Sequence, residues 1–141
     1  MSLNNNFIKF HHLAIAVRSF EKSIVFYKTL GYNCSEIVID SIQNVNLVFC
    51  KAVNFPNIEL VSPINEKSPV YSILKGKDTQ IYHQCYQTTD LKKAIDLLKN
   101  NNKILCISPP KPAILFQNRR VSFYNVSNVG LIEILETDIY D

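Results

Sequence analysis

Shifting the sequence by 71 residues lays one half of the chain on the other, and no other feature restricts the fold as strongly. The shift superposes His12 on His83, Phe20 on Leu91, Ile24 on Ile95 and Tyr27 on Leu98. It also brings Gly31 onto Asn102, the two residue types that best tolerate the left-handed backbone ending a helix. Period, cap and order agree in both halves, which marks a duplicated unit.

The first copy opens with FHHLAIAVRSFEKSIVFYKTLGY, Phe10 to Tyr32. Alternation from His11 to Val17 puts His11, Leu13, Ile15 and Val17 on one face of a strand and His12, Ala14 and Ala16 on the other. Strict alternation allows only one of the two histidines on a given face. His12 keeps company with two alanines, which leave volume beside the imidazole for a metal or ligand, whereas Leu13, Ile15 and Val17 suit packing beneath a helix. That helix is predicted next, with Ser19 as N-cap, Phe20, Ile24, Tyr27 and Leu30 as its apolar stripe, and Gly31 as its stop. Three apolar runs follow, Glu36 to Asp40, Val45 to Cys50 and Ile58 to Val61, and the turn residues between them predict a meander.

The second copy repeats the order: a strand from Gln80 to Thr88, a helix from Asp90 to Asn100, and strands at Lys103 to Ile107, Arg119 to Tyr124 and Gly130 to Glu136. Between the copies, Glu66 to Gly76 reads as a short connector helix with Ser68 capping and Pro69 at its first position. Ser108 to Asn118, with three prolines, predicts a loop over one end of the sheet that brings Ile114, Leu115 and Phe116 across a cleft. The fold expected is α+β: two tandem βαβββ modules, about 8–63 and 79–136, joined by a connector at 64–78 within a single domain over 1–141. The polar opening, 1–6, is expected to fray.

Composition narrows the partners. A chain of 141 residues that is 47% hydrophobic supports one ordinary core. The net charge of +3 is scattered apart from Lys92-Lys93 and Arg119-Arg120, so there is no basic stripe for nucleic acid, although a small anionic ligand fits. No apolar run approaches the roughly 18 residues that a membrane span needs. Cys34, Cys50, Cys85 and Cys106 form no CxxC pair and lie in or beside apolar runs, which predicts reduced thiols in a cytoplasmic protein.

Chemistry enters through a double coincidence. A single strand histidine is usually an ordinary core or surface residue, but His12 and His83 occupy equivalent positions, and the chain has only three histidines. Glu59 and Glu133 lie in the final strand of each module, in Ile58-Glu59-Leu60-Val61 and Ile132-Glu133-Ile134-Leu135. Either glutamate could sit on a solvated face. Two at equivalent positions amid apolar runs, where an unpaired carboxylate is costly to bury, point instead to a shared divalent metal held by His12, Glu59, His83 and Glu133. Two imidazoles and two carboxylates accept Zn, Ni, Co, Mn or Fe(II) alike. Such an ion polarises a carbonyl and stabilises the enolate left when a neighbouring C–H proton departs, with Glu133 or Glu59 as the base. Arg119, Arg120 and Cys85 are candidate substrate contacts, the arginines for an anionic group.

These residues resemble the vicinal oxygen chelate superfamily, which includes glyoxalases, epimerases, extradiol dioxygenases and bleomycin-resistance proteins. HHLAIAV with FYKTLGY is similar to its first module, IELVSP to its fourth strand and GLIEILE to its last, so the likeness runs from Phe10 to Glu136. The run from Ile58 through Ser62-Pro63, Ser68-Pro69-Val70 and Leu74 is most similar to the methylmalonyl-CoA epimerases. The resemblance implies a glyoxalase-like cleft of mixed sheet with helices on its outer face, and the same four metal ligands. It also implies a homodimer and a small, anionic or CoA-linked substrate, acted on by an isomerase, epimerase or lyase. The alternative is a non-catalytic binder of the bleomycin-resistance type; retention of four ligands favours catalysis, and a fourth protein ligand disfavours a dioxygenase. The chain departs from the epimerase pattern at Asn46, where a catalytic glutamate can stand and where an amide cannot abstract a proton. Asn46 is then a substrate contact at most. Tyr82 replaces the first of a paired histidine, and Gln84 replaces an apolar residue.

Overall fold

The computed structural model describes residues 6–141, so most of the polar opening lies outside the described residues. Its duplicated order is β1 (Ile8–Val17), α1 (Phe20–Thr29), β2 (Asn33–Cys34), β3 (Val38–Asp40), β4 (Val45–Lys51) and β5 (Ile58–Pro63), then α2 (Pro69–Ile73). The second copy is β6 (Thr79–Thr88), α3 (Leu91–Lys99), β7 (Ile104–Ala113), a 3-10 turn (Ile114–Phe116), β8 (Arg119–Val126) and β9 (Gly130–Glu136). All nine strands join one mixed sheet in the order β2-β4-β5-β1-β6-β9-β8-β7, with β3 also on β4. The repeat is visible in the pairing. β1 runs parallel to β5 and β5 antiparallel to β4, as β6 runs parallel to β9 and β9 antiparallel to β8. The two copies meet where β1 and β6 pair antiparallel.

Alternation sorts the side chains as the sequence predicts. Leu13, Ile15 and Val17 pack with Ile58 and Leu60 beneath Phe20, Ile24 and Tyr27 of α1. Tyr86, Ile132 and Ile134 do the same beneath Leu91, Ile95 and Leu98 of α3. α1 and α3 therefore cover the outer face. Each end is set by local chemistry. At α1, Gly31 is left-handed, its N–H bonds to Lys28 O and the Tyr32 N–H reaches Tyr27 O, the paired bonds of a Schellman stop. Ser19 occupies the N-cap without a side-chain bond, whereas Asp90 caps α3 by accepting from Lys93 N–H. The left-handed residue after α3 is Asn101, one earlier than the repeat predicts.

Three expectations change. The Glu36 to Asp40 run yields only β3, while Asn33–Cys34 pairs separately with β4, so the first edge strand is broken in two. α2 is more than a connector, because Val70 and Leu74 are fully buried against Ala14, Ala16, Val45 and Leu47 on the inner face. The proline-rich segment is a strand to Ala113, since β7 lies at the sheet edge, where a missing N–H costs no ladder bond and register shifts absorb the prolines. Only Ile114 to Asn118 leaves the sheet. All four cysteines are free thiols. The Cys34 and Cys50 sulfurs lie 2.9 Å apart across β2 and β4, and burial, with that contact, pushes the Cys50 thiol up to about 12.

Candidate metal centre

Four strands deliver the four side chains that the duplication singles out. Ala14 is the register partner of both Glu59 on β5 and His83 on β6, while His12 and Glu133 are both opposite Cys85, on β1 and β9 respectively. His12 Nε2 lies 3.6 Å from a Glu59 oxygen and 3.4 Å from Glu133 Oε1; His83 Nε2 lies 3.7 Å and 3.2 Å from the same two residues. All four are buried, at 0%, 4%, 3% and 2% exposure for His12, Glu59, His83 and Glu133.

The electrostatics are those of a tight cluster. Burial opposes charge on His12, but the Glu59 and Glu133 carboxylates outweigh it and raise its pKa to about 9. Burial likewise favours neutral Glu133, yet His83 and His12 hold the carboxyl well below its usual range. His12 Nε2, His83 Nε2 and Glu133 Oε1 nonetheless have no well-formed hydrogen bond, although each is enclosed. Buried polar atoms are almost always satisfied, so three orphans aimed at one point are what a metal's missing bonds would leave. His12, Glu59 and His83 present ligand atoms all within 4.8 Å of one another. With bonds of about 2.0–2.2 Å, neighbouring ligands stand roughly 3–3.5 Å apart, so the set fits a divalent ion with little adjustment.

Two β-bulges between β1 and β6 complete the site, and alternation does not reveal either. The pairing passes from Phe10 opposite Tyr86 to His12 opposite Cys85, leaving His11 extra, and from Ala14 opposite His83 to Ile15 opposite Ile81, leaving Tyr82 extra. A bulge places two consecutive residues against one and re-aims the extra side chain. Both His11 and His12 consequently face inward, contrary to strict alternation, and both contact Phe49 and Phe116. Tyr82 lies beside His83, with ring centroids 4.8 Å apart. Burial, then the charges of Glu133 and Glu59, hold its hydroxyl well above the usual range, so it stays protonated at neutral pH. Phe123 closes on His83 from the second module. The signal for His11 and Tyr82 lay in the repeat, since the 71-residue shift superposes them.

The remaining candidates separate. Cys85 is wholly buried on the inner face, where burial and then Glu133 keep its thiol protonated; it is part of the floor. Asn46 is displaced from the site: it shares parity with Val48 and Cys50, which pack in the cluster beneath α1, while Val45 and Leu47 take the inward positions. Arg119 shares the inward parity of Val121 and Phe123. It donates to Asp141 through both terminal nitrogens, at 3.2 and 2.8 Å, to Phe116 O and to the Thr137 hydroxyl. Arg120 points outward and pairs with Glu136 at 2.7 Å.

Two cavities flank the cluster. One, of about 390 Å³, opens beside His11, Phe49, Lys51, Phe116 and Arg119; the other, of about 310 Å³, opens beside Tyr82, Lys67, Lys111 and Phe123. A larger one of about 520 Å³ lies between β1 and α1 on the outer side and carries none of these groups.

A duplicated mixed sheet that brings one histidine and one glutamate from each copy to its inner face defines a class, and comparison with known proteins identifies it. Residues 11–123 match the family model described as the glyoxalase/bleomycin resistance protein/dioxygenase superfamily. The chain belongs to that superfamily. It is 32% identical over 133 residues to the methylmalonyl-CoA epimerase, mitochondrial, of Dictyostelium discoideum, covering 91% of this chain and 78% of that one. It is also 32% identical over 108 residues to the ethylmalonyl-CoA/methylmalonyl-CoA epimerase of Cereibacter sphaeroides, covering 73% and 78%. The crystal structure of methylmalonyl-CoA epimerase from Mycobacterium tuberculosis superposes with a TM-score of 0.77 at 20% identity, covering 96% of this chain and 92% of that chain, which supports the fold. The named relatives are epimerases, which bears out the expectation of a glyoxalase-superfamily enzyme. Among the described residues no helix is long and apolar enough to cross a membrane.

Proposed function

We propose that this protein is a metal-dependent epimerase of a 2-alkylmalonyl thioester, with methylmalonyl-CoA as the first substrate to test. The observation that carries this reading is the approach of Glu59 and Glu133 to both His12 and His83, at 3.2 to 3.7 Å and all buried, in a chain whose named relatives are epimerases. A bound divalent ion would supply Lewis-acid polarisation of the substrate's carbonyl oxygens. The chain's own groups would do the rest. Epimerisation takes a proton from the carbon between two carbonyls and returns one to the opposite face. Glu133 and Glu59 are the carboxylates able to accept that proton, and protonated Tyr82 is the hydroxyl able to support its return. Phe49, Phe116 and Phe123 exclude water around the histidines, which strengthens each charge interaction inside. Lys51 and Arg119 at one cavity and Lys67 and Lys111 at the other are cations for the substrate's anionic groups. An anion reaching Arg119 would compete with Asp141, and one reaching Arg120 with Glu136.

The decisive experiment follows exchange of the C2 hydrogen of methylmalonyl-CoA in deuterated water by NMR, with metal-stripped protein and with Mn, Co, Ni or Zn restored. Exchange that appears only with metal is the expected result; binding without exchange under every metal would leave the resistance-type binder. In the same assay, Arg119→Lys or Arg120→Lys should raise KM about 10- to 100-fold if that arginine holds the anionic group, and unchanged KM in both removes them from the substrate site. A homodimer is expected, with a sedimentation mass twice 16.2 kDa, and a mass of 16.2 kDa would establish a monomer. Four free thiols fit a reducing compartment such as the cytoplasm.

A further inference from the structure

The first bulge does more than add a histidine to the cleft. His11 Nδ1 and His12 Nδ1 are 2.7 Å apart, a buried contact that requires one proton between two ring nitrogens. On the far side of its ring, His11 Nε2 lies 2.8 Å from Asp141 Oδ2. Asp141 is itself held: Arg119 donates to both its oxygens, and its backbone N–H donates to Gln87 Oε1 at 2.9 Å. Only one assignment satisfies every link while leaving His12 Nε2 a lone pair for the ion. His12 carries its proton on Nδ1 and donates to His11 Nδ1; His11 carries its proton on Nε2 and donates to Asp141; Arg119 fixes the carboxylate. The second module lacks the device, since Tyr82 stands at the position of His11 and His83 Nδ1 is buried without a partner.

Resting on the metal-site reading above, we propose that His11 is a positioning residue: the chain Arg119, Asp141, His11 locks the ring orientation and tautomer of His12 so that its Nε2 faces the ion. Ligating histidines commonly donate their other nitrogen's proton to a carboxylate or carbonyl, and losing that partner costs roughly 10- to 100-fold in metal affinity. Here a second imidazole stands between ligand and carboxylate. The bulge is what makes this possible, because a regular strand would aim His11 at the opposite face.

Co(II) binding to metal-stripped protein, followed by calorimetry and by the visible spectrum of the ion, tests the proposal without substrate. His11→Phe keeps an aromatic ring against Phe49 and Phe116 but has no acceptor. It should weaken Co(II) binding 10- to 100-fold and shift the spectrum. His11→Asn places an oxygen where Nδ1 was but cannot reach Asp141, and its Co(II) affinity should fall between those of wild type and His11→Phe. Long-range proton–nitrogen NMR on the zinc-loaded wild type should find the proton on Nδ1 of His12 and on Nε2 of His11. That reading, with Asp141→Ala weakening Co(II) binding, keeps the proposal testable should His11→Phe fail to fold. If wild type binds one Co(II) and His11→Phe binds it equally, or if His11→Asn falls as far as His11→Phe, the positioning role is overturned and the metal site stands. A His11 proton on Nδ1 overturns it as well. If wild type takes up no Co(II), the metal-site reading itself fails.

Discussion

Glu133→Gln is expected to remove nearly all bound metal and to abolish metal-dependent exchange, with His12→Ala doing the same. Both glutamates lie near both histidines, and Glu133 is the nearer, 3.4 Å from His12 Nε2 and 3.2 Å from His83 Nε2 against 3.6 and 3.7 Å for Glu59. An amide oxygen retains the shape but loses the charge that favours a divalent cation, and loss of a direct ligand should cost at least the roughly 10- to 100-fold seen when only a ligand's supporting partner is lost. The substitutions are not innocent for the fold. All four candidate ligand residues are buried in the sheet's inner face, and without a metal Glu133 is, with Glu59, a counter-charge of His12 and of His83. Breaking a buried ion pair from one side costs about 3–5 kcal/mol, so metal-free Glu133→Gln should unfold at lower urea than metal-free wild type while keeping the wild-type circular dichroism in water. Mass spectrometry of protein purified without chelator gives the metal content. Wild-type metal in both variants would reject the site.

The second large effect is an inversion with pH. His12 titrates at about 9 in the folded protein, against 6.5 as its ordinary value, because neighbouring carboxylates overcome its burial. A raised folded pKa contributes stability that is complete below pH 6.5 and is lost as pH rises through about 9; the shift is worth about 3 kcal/mol. Glu133 has the opposite sign. Its depressed pKa contributes above its ordinary 4.5 and fades as pH falls towards the lower folded value. Metal-free protein should therefore be most stable between about pH 4.5 and 6.5 and weaken towards pH 10. Metal binding demands the unprotonated imidazole, so the stabilisation that an added ion provides should grow across that same interval. Urea midpoints at pH 6, 8 and 10, with EDTA and with saturating Mn, give the two curves. Equal stability of the metal-free protein at pH 6 and pH 10 would show that His12 is not buried among ionised carboxylates.

Much of this was legible in the chain because it is local and repeated. Period-two alternation around Leu13 and Ile15 and the stripes of α1 and α3 are properties of neighbouring residues, and duplication turned four otherwise ordinary side chains, His12, Glu59, His83 and Glu133, into a pattern. Cap chemistry at Gly31, Ser68 and Asp90 is equally short-range. What the tertiary structure alone decided depends on pairing between distant strands. Whether an extra residue enters β1 at His11 or β6 at Tyr82 is set by the ladder between them, and one such insertion reverses the face of the inserted side chain. The same non-local pairing sent Asn46 outward with Val48 and made an edge strand of the proline-rich segment. It also brought Asp141 within reach of His11 and Arg119, a contact across 130 positions of sequence that no local period encodes.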